Sequence, residues 1–350
     1  MEFLQADPIR APARAQDLIL RHRVKDYKAG DLERRYASLD IEEDVFINYG
    51  FVTRSLYQRM HPRTDALVSA DGTGSPWSRT PWKQTEQLLE FIRDRGEVHP
   101  RHVDEHFSHG KVTNYWGGSS NASTHLLDAM HYRGLLRVAR REKGIRIYRA
   151  HQHEAAPLDP AERSARIDSL VDVVVRIYAP LPAPSLSSYL RRLRYAVPQW
   201  QSEISAAIQR ARERLSHAHV DGTDWYWPAR ERVQGSRSNV SSATGADAVR
   251  LLAPFDSLVH DRQRFEMLWG WSYRFEAYTP AHKRKLGYYA LPLLWRDRVV
   301  GWGNLSVKDG KLETEFGFVE SPPRDREFKR ELEAEVERMR MFLGVSSGPD

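Results

Sequence analysis

Near the start of the chain, FLQADPI places a side-chain amide at Gln5 and a carboxylate at Asp7. On an extended backbone, positions two apart point to the same side, so the two groups could hold one water between them. A carboxylate can take a proton from that water and an amide can fix its position, which is hydrolytic chemistry. The structural alternative is that Asp7 caps a helix with Pro8 at its first position. Pro12 would then end or kink that helix, or a later helix would start after it. A cap needs no amide two residues earlier, so Gln5 stays in the picture either way.

A second set of candidates lies in HPRHVDEHFSHG, where His99, His102, His106 and His109 fall within a short helical stretch. His102 and His106 have the i,i+4 spacing of two metal ligands on one helix face. The pattern is not HExxH, because the glutamate sits beside the second histidine, and no third ligand is signposted. A solvated helix edge is the expectation, with no metal and no cofactor. His217 and His219 alternate along a strand, which suits either a surface strand or a hairpin touching a nucleic-acid backbone. The glycines of DGTGSPW lack the GK[ST] ending of a phosphate loop, and there is no Gly-x-Ser-x-Gly elbow.

Composition narrows the classes. With 350 residues, two to four structural units are expected. No cysteine is present, which excludes disulfides, thiolate metal sites and cysteine nucleophiles. No apolar run is long enough to span a bilayer, and no secretory signal is visible, so a cytoplasmic location is expected. The formal charge of +6 permits a phosphate-rich partner without demanding one. Ten Trp and fifteen Tyr suit surfaces where bases stack, although cores account for most Trp.

The elements that must position these groups follow from periodicity. Residues 8–60 read as helical, with ARAQDLILRHR and AGDLERRYASL as two helices and Asp31 near the cap of the second. DALVSADGTGSPWSRT reads as a linker. From Trp82 to about Ala150 the order is three helices and then a hairpin around EKG, the plan of a winged helix-turn-helix. The order recurs from RSARIDSLVDVVVRIYAP through SLSSYLRRL and VPQWQSEISAAIQRARER to a hairpin around DGT. GSRSNVSSATG reads as a connector. A small antiparallel sheet or barrel is expected beyond it, with an amphipathic helix over 324–343 at the end. The fold class is therefore α+β: tandem winged helix-turn-helix domains plus a C-terminal small antiparallel β-barrel. The expected domains are a partial first winged-helix region over 1–75, winged helices over 82–153 and 158–234, and the barrel with its helix over 248–345.

LLAPFDSLVHDRQRFEMLWGWSYRFEAYTPAHKRKLGYYALPLLWRDRVVG resembles the C-terminal segment of the YcaQ/AlkZ family of winged-helix DNA glycosylases, with its SPFD, DR.R, E.Y.PA.KR and GYY.LP pattern. FLQADPI followed by RAQDLILRHRVKDY resembles that family's catalytic segment, with a Q-x-D motif at Gln5 and Asp7. The likeness runs through most of the chain and is specific in these two blocks. Two departures stand out. Family members usually carry some tens of residues before the motif, here four, as a missed upstream start or a trimmed chain would give. Where members with Q-x-D often read EYWAH, this chain reads INYGF at Ile47–Phe51.

The resemblance implies a DNA-binding scaffold that excises alkylated purines of the N7-alkylguanine type and unhooks interstrand crosslinks. It implies Asp7 as the catalytic carboxylate and Gln5 as the group positioning water or sugar. No Lys adjoins the motif to form a Schiff base, so a monofunctional hydrolase is expected. The expected partner is double-stranded DNA with alkylated bases, bound by a monomer, in a bacterial cytoplasm at the nucleoid. Contacts to DNA are expected from Arg137, Arg140, Arg141, Lys143, Arg191, Arg192 and Arg194 in the winged helices, and from Lys283, Arg284 and Lys285 in AHKRKLGYY. Two other readings compete: a winged-helix DNA-binding protein without chemistry, and a metal hydrolase using the His99–His109 cluster.

Overall fold

A computed structural model describes residues 1–63, 82–107, 111–113, 119–153, 158–229, 231 and 247–345. The expected linker DALVSADGTGSPWSRT, the connector GSRSNVSSATG and His109 lie outside the described residues. The chain divides into two compact units. One comprises residues 1–4, 33–177 and 186–215; the other comprises 5–32, 178–185 and 216–350.

In the first unit, a three-stranded sheet has the order Phe3–Gln5, Tyr49–Thr53, Ile41–Val45. This corrects the expectation that residues 8–60 are helical throughout. The physical reason is the composition of IEEDV: Glu42, Glu43 and Asp44 are each 1% exposed, so the strand buries acids where the periodicity rule looks for apolar residues. Each acid has a cationic partner. Glu42 takes Arg137, Glu43 takes Arg141 in two contacts of 2.6 Å, and Asp44 takes Arg63. Two of those partners lie almost a hundred residues away in sequence, beyond any local pattern. Phe3 packs edge-on against Phe46 at 5.5 Å and anchors the sheet's first strand in the core.

The helices Trp82–Arg95, Pro100–Phe107 and Ala122–Arg133 follow, then the hairpin Leu136–Glu142/Ile145–Ala150. Its turn residues Lys143 and Gly144 both have positive φ, which matches the twist of tight two-residue hairpin turns. Val98, between the first two helices, bridges antiparallel to Tyr148 on the second hairpin strand. A short hairpin, Lys111–Thr113 with Ser119–Asn121, precedes the third helix and was not legible in the sequence. The helix Pro160–Tyr178 opens on a reciprocal capping box: Asp159 accepts from Glu162 N, and Glu162 accepts from Asp159 N. Asp168 and Asp172 bind Arg210 and Arg214, which fastens this helix to Ile204–Arg214. The stretch expected as one helix from Pro198 is a 3₁₀ segment, Pro198–Glu203, leading into that α-helix.

In the second unit, Ser216–Val220 and Thr223–Trp227 form the hairpin expected around DGT. The short strand Leu181–Pro182 pairs with Tyr226 and Trp225. The C-terminal strands Val249–Leu251, Leu291–Trp295, Arg298–Lys308 and Lys311–Phe318 make an antiparallel meander in that order. Among the described residues this sheet stays open and does not close into a barrel. The helix Arg326–Leu343 is capped by Asp325 and stopped by Gly344 at φ +67°, matching the expected span closely. A core of Leu252, Val259, Phe265, Tyr273, Ala290 and Val299 is flanked by Trp269, Trp271 and Trp302, so these three Trp serve packing.

Candidate active site

The two sequence blocks that carry the resemblance meet in the second unit. Arg23, following the helix Ala15–Leu20, makes a bidentate pair with Asp256 of the APFD stretch at 2.7 and 2.9 Å. Arg21 pairs with the almost fully buried Glu335 of the C-terminal helix, and His22 binds the carbonyl of Leu251 at 2.9 Å. Burial, with the Arg21 charge beside it, pushes the His22 imidazole down to about 4, so it is neutral near pH 7. Asp261 caps the helix Arg262–Trp269 by accepting from Arg264 N at 3.1 Å. The buried Arg264 guanidinium holds the carbonyls of Tyr178 and Ser257. Asp256 and Glu335 are therefore structural posts that seat the N-terminal segment, while Asp261 and Arg264 hold the backbone around their own helix.

That segment bends where the motif lies. The strand ends at Gln5, which is half-buried, so strict two-residue alternation does not extend to Asp7. Asp7 does not cap a helix; the next α-helix begins at Ala15, with Arg14 before it. This is the alternative in which the helix starts after Pro12. Asp7 instead closes a local turn. Its Oδ1 accepts from Ile9 N at 2.9 Å, and its own N–H donates to Oε1 of buried Gln16 at 3.3 Å. Among the described residues, Ile9 N–H is the one hydrogen-bond donor to this carboxylate, although Asp7 is only 7% exposed. Burial raises its pKa above the ordinary 3.8, with the Ile9 amide opposing the rise. A carboxylate so placed is a stronger base than one in water.

Tyr278 and Tyr289 lie within reach of the Asp7 charge, which helps burial keep both phenols protonated. Phe275 stands edge-on to both, at 6.0 and 5.3 Å, and Phe255 backs it at 5.2 Å. Tyr278 is 74% exposed and Tyr289 is 3% exposed. The loop carrying them is fixed by Glu276, whose Oε2 accepts from both Lys285 N and Leu286 N at 2.8 Å. Asn304 donates to the Leu286 carbonyl at 2.7 Å. Gly287, at φ +115°, lets that contact form, since a Cβ there would overlap the Asn304 side chain. Sequence reasoning missed this aromatic wall. The block YRFEAYTPAHKRKLGYY held the signal, but nothing local ties it to a motif some 270 positions earlier.

The ten basic positions fall into different settings. Lys283 and Lys285 are exposed on the same loop. Arg284 binds the Thr279 carbonyl and lies 4.9 Å from the Tyr288 ring centre. In the first unit, Arg137 and Arg141 are largely buried against Glu42 and Glu43, with side chains 14% and 12% exposed. Arg140 is exposed and pairs with Glu97 and Glu142, and Lys143 tips the hairpin turn. Arg191 and Arg194 are exposed, Arg194 resting on Tyr195, while Arg192 is half-buried 5.8 Å from the Tyr189 ring. No cluster of His and acidic residues fit for a metal occurs among the described residues. His106 stacks on Phe91 at 4.5 Å, and His99 accepts from Arg101 N. On the hairpin, His219 pairs with Asp224 and His217 packs on Tyr226. No helix among the described residues is long and apolar enough to cross a membrane.

The chain belongs to the DNA glycosylase AlkZ-like family, whose pattern matches residues 1–342. Among solved structures it is similar to the Streptomyces sahachiroi DNA glycosylase AlkZ, with 14% identity and a TM-score of 0.60. That likeness covers 99% of this chain and 90% of the other. At that identity it concerns the mixed α/β fold with antiparallel sheets.

Proposed function

We propose that this protein is a monofunctional DNA glycosylase that hydrolyses the N-glycosidic bond of alkylated purines of the N7-alkylguanine type, including those in interstrand crosslinks. It acts as a monomer on double-stranded DNA at the nucleoid. The observation that carries the reading is the Asp7 carboxylate: little exposed, given one hydrogen bond by the fold, and shifted toward a stronger base.

An N7-alkylated purine already bears positive charge and leaves without an acid. The C1′–N9 bond breaks with its electron pair going to the base, which neutralises that charge. Asp7 offsets the positive charge growing on the sugar, then takes the proton of the water whose oxygen bonds to C1′. Gln5 steadies the sugar or the water. Segments 82–153 and 158–234 serve as winged helices. In support, each has a residue or short strand between its first two helices paired to the second hairpin strand, Val98 to Tyr148 and Leu181–Pro182 to Tyr226 and Trp225. The exposed Arg140, Lys143, Arg191, Arg194, Lys283 and Lys285, with Arg192 and Arg284, meet phosphates. Arg137 and Arg141 act from within, holding the strand of buried acids in place.

The test is duplex DNA containing N7-methylguanine or a nitrogen-mustard crosslink, incubated with protein and then heated in alkali. Cleavage by the wild type and loss with Asp7→Asn supports the enzyme. A gel shift without cleavage by the wild type leaves a DNA-binding protein without chemistry. Loss of activity with a chelator would favour the metal reading, and a borohydride-trapped covalent complex would replace hydrolysis with Schiff-base chemistry.

A further inference from the structure

The loop from Glu276 to Leu286 in the second unit is tied at its base and braced within. The buried Glu276 carboxylate gathers the two ends by accepting from Lys285 N and Leu286 N at 2.8 Å, and the Glu276 carbonyl accepts from Thr279 N at 2.9 Å. Across the loop, Arg284 Nε donates to the Thr279 carbonyl at 2.8 Å, and Lys283 N donates to the Pro280 carbonyl at 2.8 Å. The residues Ala281–Lys283 form a 3₁₀ turn. On this frame stands Tyr278, at 74% the most exposed large hydrophobic side chain among the described residues. Phe275 meets its ring edge-on, centres 6.0 Å apart, so the phenol is steadied although it stands in solvent.

A single exposed aromatic is ordinary. The charge around this one is not. No acidic residue occurs between Glu276 and Asp297, and the Glu276 carboxylate is turned to the loop's own amides. His282, Lys283 and Lys285 are exposed, and neither lysine has an acidic partner among the described residues. Elsewhere the outer arginines are matched by acids: Arg140 by Glu97 and Glu142, Arg210 by Asp168, Arg214 by Asp172, and Arg296 by Asp247. An open ring among unmatched cations suits a partner with a flat apolar face and flanking negative charge, which is a nucleotide. A membrane surface would call for large apolar side chains, and from Thr279 to Lys285 the loop offers none beyond Pro280 and Ala281. In an intact duplex each base is covered by its neighbours, so a ring on a loop reaches a base face only where a base has left the stack.

We propose that this loop is a stacking site for an unpaired base in DNA, with the Tyr278 ring against the base and Lys283 and Lys285 on the flanking phosphates. Because the fold already steadies the ring, little side-chain freedom is lost on binding. The stack uses the ring face and not the hydroxyl, and it tolerates any base. The inference rests on the glycosylase reading for its choice of DNA and deepens it by naming what the loop selects, a nucleotide outside the helical stack.

The full chain is given two duplexes of equal length, one fully paired and one with a single unpaired 5-iodouracil. Affinity is measured for wild type, Tyr278→Ala, Tyr278→Phe and Lys283→Gln. Wild type should prefer the bulged duplex about tenfold. Tyr278→Ala should lose that preference while binding the paired duplex as before, Tyr278→Phe should keep it, and Lys283→Gln should weaken both duplexes alike. Irradiation should join the iodouracil to the peptide that carries Tyr278. A wild type without preference overturns the inference, as does a Tyr278→Ala variant that keeps the preference or weakens on both duplexes equally. Tyr278→Phe behaving like Tyr278→Ala also overturns it, because the hydroxyl would then be the contact. Anionic lipid vesicles held by wild type and released by Tyr278→Ala, with both duplexes bound as before, would assign the loop to a membrane surface instead. None of these readouts needs excision. A protein that stacks the unpaired base but leaves N7-methylguanine in place keeps the inference and ends the glycosylase reading. One that excises N7-methylguanine without preferring the bulge ends the inference alone.

Discussion

Two buried aspartates, one in each unit, show opposite ways of keeping a carboxylate out of water. Asp44 in the first unit is 1% exposed and fully engaged: Arg63 donates to its Oδ1 at 2.7 Å and His61 Nε2 to its Oδ2 at 2.6 Å. Arg63 also donates to the carbonyls of Ala196, Val45 and Tyr132 and to Met60 Sδ. Burial would raise the Asp44 pKa, but Arg63 and His61 hold it well below the usual carboxylate range. Asp7 in the second unit has, among the described residues, one amide donor and no cation against it, and its pKa is raised. A carboxylate saturated by the fold can only hold the fold. One that the fold leaves incomplete is available for a proton and for a developing cation.

Cutting each group separates the two roles. The largest effect expected is from Asp7→Asn, which should slow excision a hundred- to several-thousandfold, about 3–5 kcal/mol on the barrier. Its thermal midpoint should not fall, since the substitution removes a charge that burial penalises. Asp44→Asn should do the reverse, losing about 3–5 kcal/mol of stability in a denaturant titration, because the Arg63 charge is left buried without its counter-ion. If Asp44→Asn unfolds at the wild-type midpoint, the contrast between the two sites is wrong.

Acid should then sharpen the comparison. His61 is pushed down to about 3 by burial, with the Arg63 charge also lowering it, from an ordinary 6.5. The unfolded chain therefore takes up a proton that the folded chain refuses, and stability falls as pH drops from about 6.5 toward 3. Asp44 adds a further loss below its ordinary 3.8, since its folded pKa is depressed. Unfolding titrations between pH 7 and 4 should show the first part, and His61→Gln should weaken it. The smallest effect expected is electrostatic. Replacing Lys283 or Lys285 by Gln should flatten the slope of log affinity against log salt by about 0.9 each. The same change at Arg137 should instead lower stability, since its charge is matched by Glu42 inside the fold.

The two helix–hairpin segments were legible because their apolar residues repeat at the helical period and their hairpins carry EKG and DGT turns. Lys143-Gly144 and Asp221-Gly222 indeed take positive φ. The strand IEEDV was not legible, because burial there rests on arginines remote in sequence rather than on apolar alternation. The candidate site was half legible. Asp7 stood out through the Q-x-D resemblance, while spacing alone would have misled, since the strand stops at Gln5 and Asp7 sits in a turn. Tyr278 and Tyr289 were hidden because only the folded chain brings their loop to the motif.

The most direct measurement is the pH dependence of single-turnover N7-methylguanine excision, corrected for spontaneous loss. If Asp7 works as a carboxylate, the rate falls on the acid side with an inflection above the ordinary 3.8, because the protonated acid can neither offset the sugar's charge nor accept a proton. Asp7→Asn should leave only a low rate without that limb. A rate that is flat through the acid range, or an acid limb that survives in Asp7→Asn, contradicts the account.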